Sequence, residues 1–164
     1  MTRKIIPWPD KRLRTPAQPV GKITDEIRAI WADMVTVMDA MPGYGLAAPQ
    51  IGVMLRLAVV DCSTERGRAI LLADPEIISS DATMRPHEEA SPNLPGVSTK
   101  LLRPAKVLVS FTDHHGMRVR QEFEGLWSTS VQHQIDHLNG RMFFDNLSRT
   151  KREILLKKAA KGRN

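Results

Sequence analysis

The chain has a single cysteine, Cys62, so no internal disulfide can form, which fits a reducing compartment such as the cytoplasm. No apolar run approaches the roughly 20 residues that a membrane helix needs, and no membrane partner is expected. The N-terminal MTRKIIPWPDKRLR is basic but lacks an apolar core and a small-residue cleavage site, so it does not read as a secretion signal. Repeats, low-complexity tracts and Gly/Ser-rich linkers are missing as well. Residues 1–164 are therefore expected to form one domain, long enough to bury its own core.

Hydrophobic residues at 41% and charged residues at 26% are ordinary for a soluble protein. The net charge of +6 is unevenly placed. From Ser148 to Asn164 there are seven basic residues (Arg149, Lys151, Arg152, Lys157, Lys158, Lys161 and Arg163) against the one acid Glu153. The rest of the chain sums to zero. A neutral body with a basic tail suggests a local contact with something anionic, such as RNA or an acidic protein surface; lysines that merely solvate a helix are the plainer alternative.

Apolar spacing predicts a helix over Ile23–Met41, with Thr24 as N-cap and Pro42-Gly43 as its stop. LRLAVVD, AILLADPEII, KVLVSFTD and MRVRQEFE are short, rich in β-branched residues and bounded by turns, and read as strands, the last two as a hairpin. Between them, RPHEEASPNLPGVSTKLLRP holds four prolines and is expected to be an irregular or extended surface segment. No proline follows Pro104. GLWSTSVQHQIDHLNG fits a helix closed by Gly140, with Trp127, Val131, Ile135 and Leu138 on one face and His133 and His137 nearly opposite. A helix with no solvent face belongs between layers. A further helix, about 148–162, has Ser148 as N-cap, and the whole reads as an α+β domain.

Spacing i, i+4 puts His133 and His137 about 6 Å apart at Cβ on one face, so both can reach one ion. A catalytic metal also needs a third protein ligand and an open position, so two histidines alone do not define a site. Gly43-Tyr44-Gly45-Leu46-Ala47-Ala48-Pro49-Gln50 sets small residues around one amide, which offers a donor to a developing oxyanion. Glu88-Glu89-Ala90-Ser91-Pro92-Asn93 precedes the paired strands.

In this order the three segments resemble the motifs GxGxAAxQ, EGC(L)S and QHExDHLxG of the peptide deformylase family. The resemblance runs from about Ile5 to the C-terminal helix and includes Pro9-Asp10-Lys11-Arg12-Leu13-Arg14. It implies a deformylase-like α+β fold, mostly antiparallel strands around the central HxxxH helix. It also implies hydrolytic removal of the formyl group from N-terminal formyl-methionine of nascent chains by a divalent metal, iron in the family, with zinc or nickel as substitutes. His133 and His137 take the places of two metal ligands and Ser91 that of the cysteine ligand. Gln134 stands at the catalytic glutamate, Gln50 at the oxyanion-holding glutamine, and Pro92 where a second oxyanion N–H would be. Gly43, Gly45 and Leu46 surround the methionine pocket, while Arg103, Glu88 and Asp136 are structural, Arg103 pairing with Glu88 or Asp136. The family's C-terminal helix docks near the ribosomal exit, so the basic tail implies the ribosome as a partner.

Three departures bear on the chemistry. An amide cannot shuttle protons near neutral pH, a function worth on the order of 10² to 10⁴ in rate. A neutral serine hydroxyl binds transition metals poorly compared with a thiolate. Proline has no N–H to donate, and losing one oxyanion donor costs roughly 10² to 10³ in kcat. The expectation is a deformylase-like protein with weak or no deformylation and a metal that is weakly bound or absent. The alternatives are an active metallo-amidohydrolase for another N-acyl substrate and a non-catalytic protein that binds ribosomes or nascent chains. Cys62, His114, His115, His87, Trp8 and Trp31 have plain packing or surface explanations.

Overall fold

The computed structural model describes residues 3–162; Arg163, one of the seven basic residues of the tail, lies outside them. Among the described residues the elements run α1 (Asp25–Ala40), β1 (Gly45–Ala47), β2 (Leu57–Val60), β3 (Ile70–Ser80), β4 (Met84–Ser91), β5 (Leu94–Pro104), β6 (Lys106–Thr112), β7 (Arg118–Glu124), α2 (Leu126–Leu138) and α3 (Arg149–Lys161). Strands β1-β2-β3-β6-β7 form an antiparallel sheet in that order, and β4-β5 form a separate two-stranded sheet. The architecture is the α+β arrangement expected of the deformylase fold.

The first helix begins where Thr24 Oγ1 accepts from the Ile27 N–H at 3.3 Å, with Asp25 and Glu26 placed favourably at the positive end of the dipole. Its Ile27, Ile30, Trp31, Met34 and Met38 pack on Leu57 and Val59 of β2. The alternate residues Ala58 and Val60 face the other way, onto Val131, Ile135 and Leu138 of α2. Period 2 along β2 thus explains its unbroken apolar run: the strand is covered by a helix on each side. Helix α2 lies between this sheet and the β4-β5 hairpin, and ten of its thirteen residues are buried.

The proline-rich stretch is extended, one of the two expected forms, but it is paired and partly buried. It is a paired hairpin with a register shift between Glu89 and Ser91, Ser91 lying opposite Leu94 and the Pro92-Asn93 turn between them. A two-stranded sheet has a free edge along each strand, so a proline whose missing N–H faces outward costs no ladder bond. Nor is it only surface: Leu94, Val97 and Leu101 join Phe143, Phe144, Leu155 and Ala159 in a third core cluster, which anchors a hairpin that would be marginal alone. Helix α3 is capped by Ser148 Oγ, which accepts from the Lys151 N–H, and it turns Leu155 and Ala159 inward while Arg149, Lys151, Lys157, Lys158 and Lys161 stay exposed. No helix among the described residues is long and apolar enough to cross a membrane.

Candidate functional site

Helix α2 and strand β4 meet at the histidines. Along β4 the buried positions alternate, so counting back by two from Ser91 brings Glu89 inward and leaves Glu88 exposed. Glu89 is therefore the carboxylate that pairs with Arg103, in place of the expected Glu88. Arg103 Nε and Nη2 donate to its two oxygens at 2.7 and 3.0 Å, and Arg103 Nη1 donates to Asp136 Oδ2 at 2.9 Å. Burial alone would push the Glu89 carboxyl up, but the His133 N–H and the Arg103 guanidinium outweigh it and hold the pKa at about 2.

Ionised Glu89 orients His133. His133 Nδ1 lies 2.9 Å from Glu89 Oε1 and so carries the proton it donates there. His133 Nε2 and His137 Nε2 lie 3.2 Å apart, within hydrogen-bond reach of each other. His137 Nδ1 is buried with no hydrogen-bond partner among the described residues. Burial first, then His133 and Arg103, hold the His137 pKa well below its usual value, consistent with a neutral ring.

The hairpin turn carries a second network. Gln50 sits in a 3-10 turn (Ala48–Ile51), its Oε1 accepting from the Ala47 N–H at 2.8 Å. Its Nε2 donates to Asn93 Oδ1 at 2.8 Å and reaches Ser91 Oγ at 3.5 Å. The Ser91 hydroxyl donates to the same Asn93 oxygen at 3.0 Å, and Asn93 Nδ2 donates to the carbonyls of Ile6 and Gln50. Asn93 went unnoticed in the sequence; the one signal available was its place after Pro92 in a turn-forming pair.

A cavity of about 390 Å³ opens over these residues. Gly43, Gly45, Gln50, Ser91, Pro92, His133 and Gln134 line it, together with Met41, Tyr44, Leu94, Val97, Leu126, Thr129 and Ser130. Leu46 does not; it is fully buried in the core beside α1, because on β1 it points away from Gly45. Gly45 makes room for the α2 side chains: a Cβ there would lie 2.6 Å from both Gln134 Nε2 and Ser130 Oγ. Gln134 is 5% exposed, and its Oε1 has no hydrogen-bond partner among the described residues. Cys62 is elsewhere, its Sγ 3.9 Å from the Tyr44 carbonyl oxygen and its pKa pushed up to about 12, chiefly by burial.

The divalent metal of the deformylase family does not fit this donor set. Among the described residues no three His, Cys, Asp or Glu side chains converge as a cage. The expected third donor, Ser91, is a neutral hydroxyl, a poor ligand for a transition metal beside a thiolate, and the two Nε2 atoms lie 3.2 Å apart. The two anions that would balance a dication, a thiolate and a glutamate, are both replaced by neutral groups. The remaining carboxylate, Glu89, is already paired with Arg103. Bringing a dication to such a buried neutral set carries a desolvation cost that nothing nearby offsets.

Comparison with known proteins identifies the family. The profile of the Polypeptide deformylase family matches residues 2–153. A peptide deformylase of Afipia carboxidovorans is 43% identical over 161 residues, covering 97% of this chain and 94% of the relative. A protein of Bradyrhizobium diazoefficiens named peptide deformylase-like is 40% identical over 159 residues, covering 97% and 93%. Among solved structures, a peptide deformylase from Legionella pneumophila superposes with a TM-score of 0.92 at 39% identity, covering 99% of this chain and 96% of that one. With the family profile matching nearly the whole chain and relatives about 40% identical over it, the chain belongs to the peptide deformylase family.

Proposed function

We propose that this protein binds methionyl N-termini of nascent polypeptides in the cytoplasm, and that it removes the formyl group slowly or not at all. The observation that carries the reading is Gln134: a buried, neutral amide lines the cavity at the point where hydrolysis needs a proton shuttle. Ser91 and Pro92 add to it, since the turn offers neither a thiolate nor a backbone donor to an oxyanion. Metal is bound weakly or not at all, for the reasons of charge and donor set given above. The rim keeps the apolar surfaces of Met41, Leu94, Val97 and Leu126, which suit an unbranched apolar side chain. The test is hydrolysis of a formyl-methionyl peptide with iron, nickel or zinc supplied, alongside elemental analysis of protein purified without added metal. Turnover at ordinary kcat/KM values, on the order of 10⁴ M⁻¹s⁻¹ or above, would overturn the reading.

One observation favours an active metallo-amidohydrolase for another N-acyl substrate: Glu89 orients His133 through Nδ1, as outer carboxylates orient metal-bound imidazoles. A panel of N-acyl peptides in the same assay separates the two. The exposed basic face of α3 supports docking at the ribosome. Removing residues 148–164 should then abolish a salt-sensitive co-sedimentation with ribosomes.

A further inference from the structure

We propose that the cavity wall between α2 and β4 binds a carboxylate of the ligand, with Thr129 and His87 as donors and Arg85 behind them as the counter-charge. This rests on the reading that the cavity takes a peptide N-terminus, and it adds what that peptide carries. Strand alternation turns Arg85, His87, Glu89 and Ser91 toward the same side of β4. Glu89 and Ser91 are satisfied there by Arg103 and Asn93. Arg85 is not. Its one hydrogen bond among the described residues runs from Nη1 to Thr129 Oγ1 at 3.1 Å, and none of their carboxylates pairs with it. The other half-buried arginines are better served. Arg3, Arg66 and Arg152 pair with Asp33, Asp39 and Asp145, and Arg56 donates to the Leu138 carbonyl and to Asn139 Oδ1.

Thr129 passes that charge to the cavity, which it lines. Its oxygen accepts from Arg85, and its own proton has no acceptor among the described residues. Accepting from a guanidinium polarises the hydroxyl and strengthens what it donates. His87 lines the same cavity two residues along β4, makes no hydrogen bond among the described residues, and carries an N–H in either tautomer. Tyr44, 51% exposed, adds a phenol to the lining. The two acids of the lining do not cancel this field: Glu89 is neutralised by Arg103, and Glu88 is exposed, where solvent screens it. Donors without acceptors, backed by a cation without an anion, call for a negatively charged acceptor. Of the groups a peptide offers, the carboxylate meets both needs.

The experiment titrates formylated tripeptides into the isotope-labelled full chain in EDTA and follows its backbone amide signals. Three sources of the carboxylate are each compared with a neutral isostere: glutamate against glutamine as first residue, glutamate against glutamine after methionine, and a free C-terminus against its amide. At least one acid should bind about tenfold or more tightly than its isostere, the ratio that a charge-assisted hydrogen bond supports, and the ratio should shrink as salt is raised. Arg85→Met should bring that pair to within about twofold, whereas Arg85→Lys, which keeps the charge, should retain a preference; the same spectra report whether each variant is folded. Equal binding of every acid and its isostere to the wild-type chain overturns this inference and leaves the methionyl reading standing. If the peptide beginning with glutamate binds and no methionyl peptide does at about 1 mM, the methionyl reading falls and the carboxylate site stands. If none binds at that concentration, both fall.

Discussion

Replacing Gln134 with glutamate is the most informative single change, because chemistry and stability predict opposite rewards. The substitution restores the residue type of the family's proton shuttle, yet it puts a carboxyl at a 5%-exposed position with no lysine or arginine in the lining. Fully buried carboxyls rise by up to 3–5 pKa units; with the cavity open on one side, a rise of about 2–3 units from the ordinary value of about 4.3 is expected here. The folded pKa then lies above the unfolded one. The variant bears no ionisation penalty below about pH 4.3, loses about 1.4 kcal/mol per pH unit above that, and levels off near pH 7 at about 3–4 kcal/mol. Urea unfolding of the wild-type and variant chains at pH 5 and pH 8 gives the difference directly. Formyl-peptide hydrolysis should rise by less than about tenfold, because Ser91 and Pro92 are unchanged. A stability difference constant within about 0.5 kcal/mol from pH 5 to 8, or full turnover from this change alone, would refute the reasoning.

Combining Ala90→Gly, Ser91→Cys, Pro92→Leu and Gln134→Glu should let the protein retain a divalent metal through gel filtration and raise hydrolysis at least about 10²-fold over Gln134→Glu alone, by metal analysis and steady-state kinetics. Arg103→Met should cost about 3–5 kcal/mol at pH 7 in urea unfolding, since it strands Glu89 in a buried site. In the wild-type chain Glu89, held at about 2 against 4.5 unperturbed, contributes stability that is present above pH 4.5 and lost as pH falls toward 2. The Arg103→Met variant should have a flatter acid limb. Gly140→Ala, at φ 76° with a Cβ 2.7 Å from the Arg14 carbonyl oxygen, should lower stability by about 2–3 kcal/mol. Gly45→Ala should displace Gln134 and weaken methionyl-peptide binding while leaving α2 intact by circular dichroism.

Local rules in the sequence carried much of the fold. Thr24 and Ser148 were legible as caps and Gly140 as a stop, because capping depends on a side chain and its nearest backbone neighbours. The buried helix 126–138 was legible because its apolar and histidine faces left no room for solvent. The 85–104 hairpin was not: prolines signal broken structure along the chain, and only a free sheet edge together with the α3 core makes them harmless. Leu46 was placed in the pocket because its neighbours are, but strand alternation sends it to the core.

The sequence by itself determined which chemical groups the site contains: two imidazoles at one helical spacing, and an amide, a hydroxyl and a proline where charge and a donor would be needed. Tertiary structure decided what those groups do to one another. Pairing Arg103 with Glu89, setting Glu89 against His133, and tying Gln50 to Asn93 are contacts between separate segments of the chain, and no local pattern encodes them. Burial then raises the stakes, since in a low-dielectric interior each satisfied group is fixed and a group without a partner among the described residues, such as Gln134 Oε1, is costly.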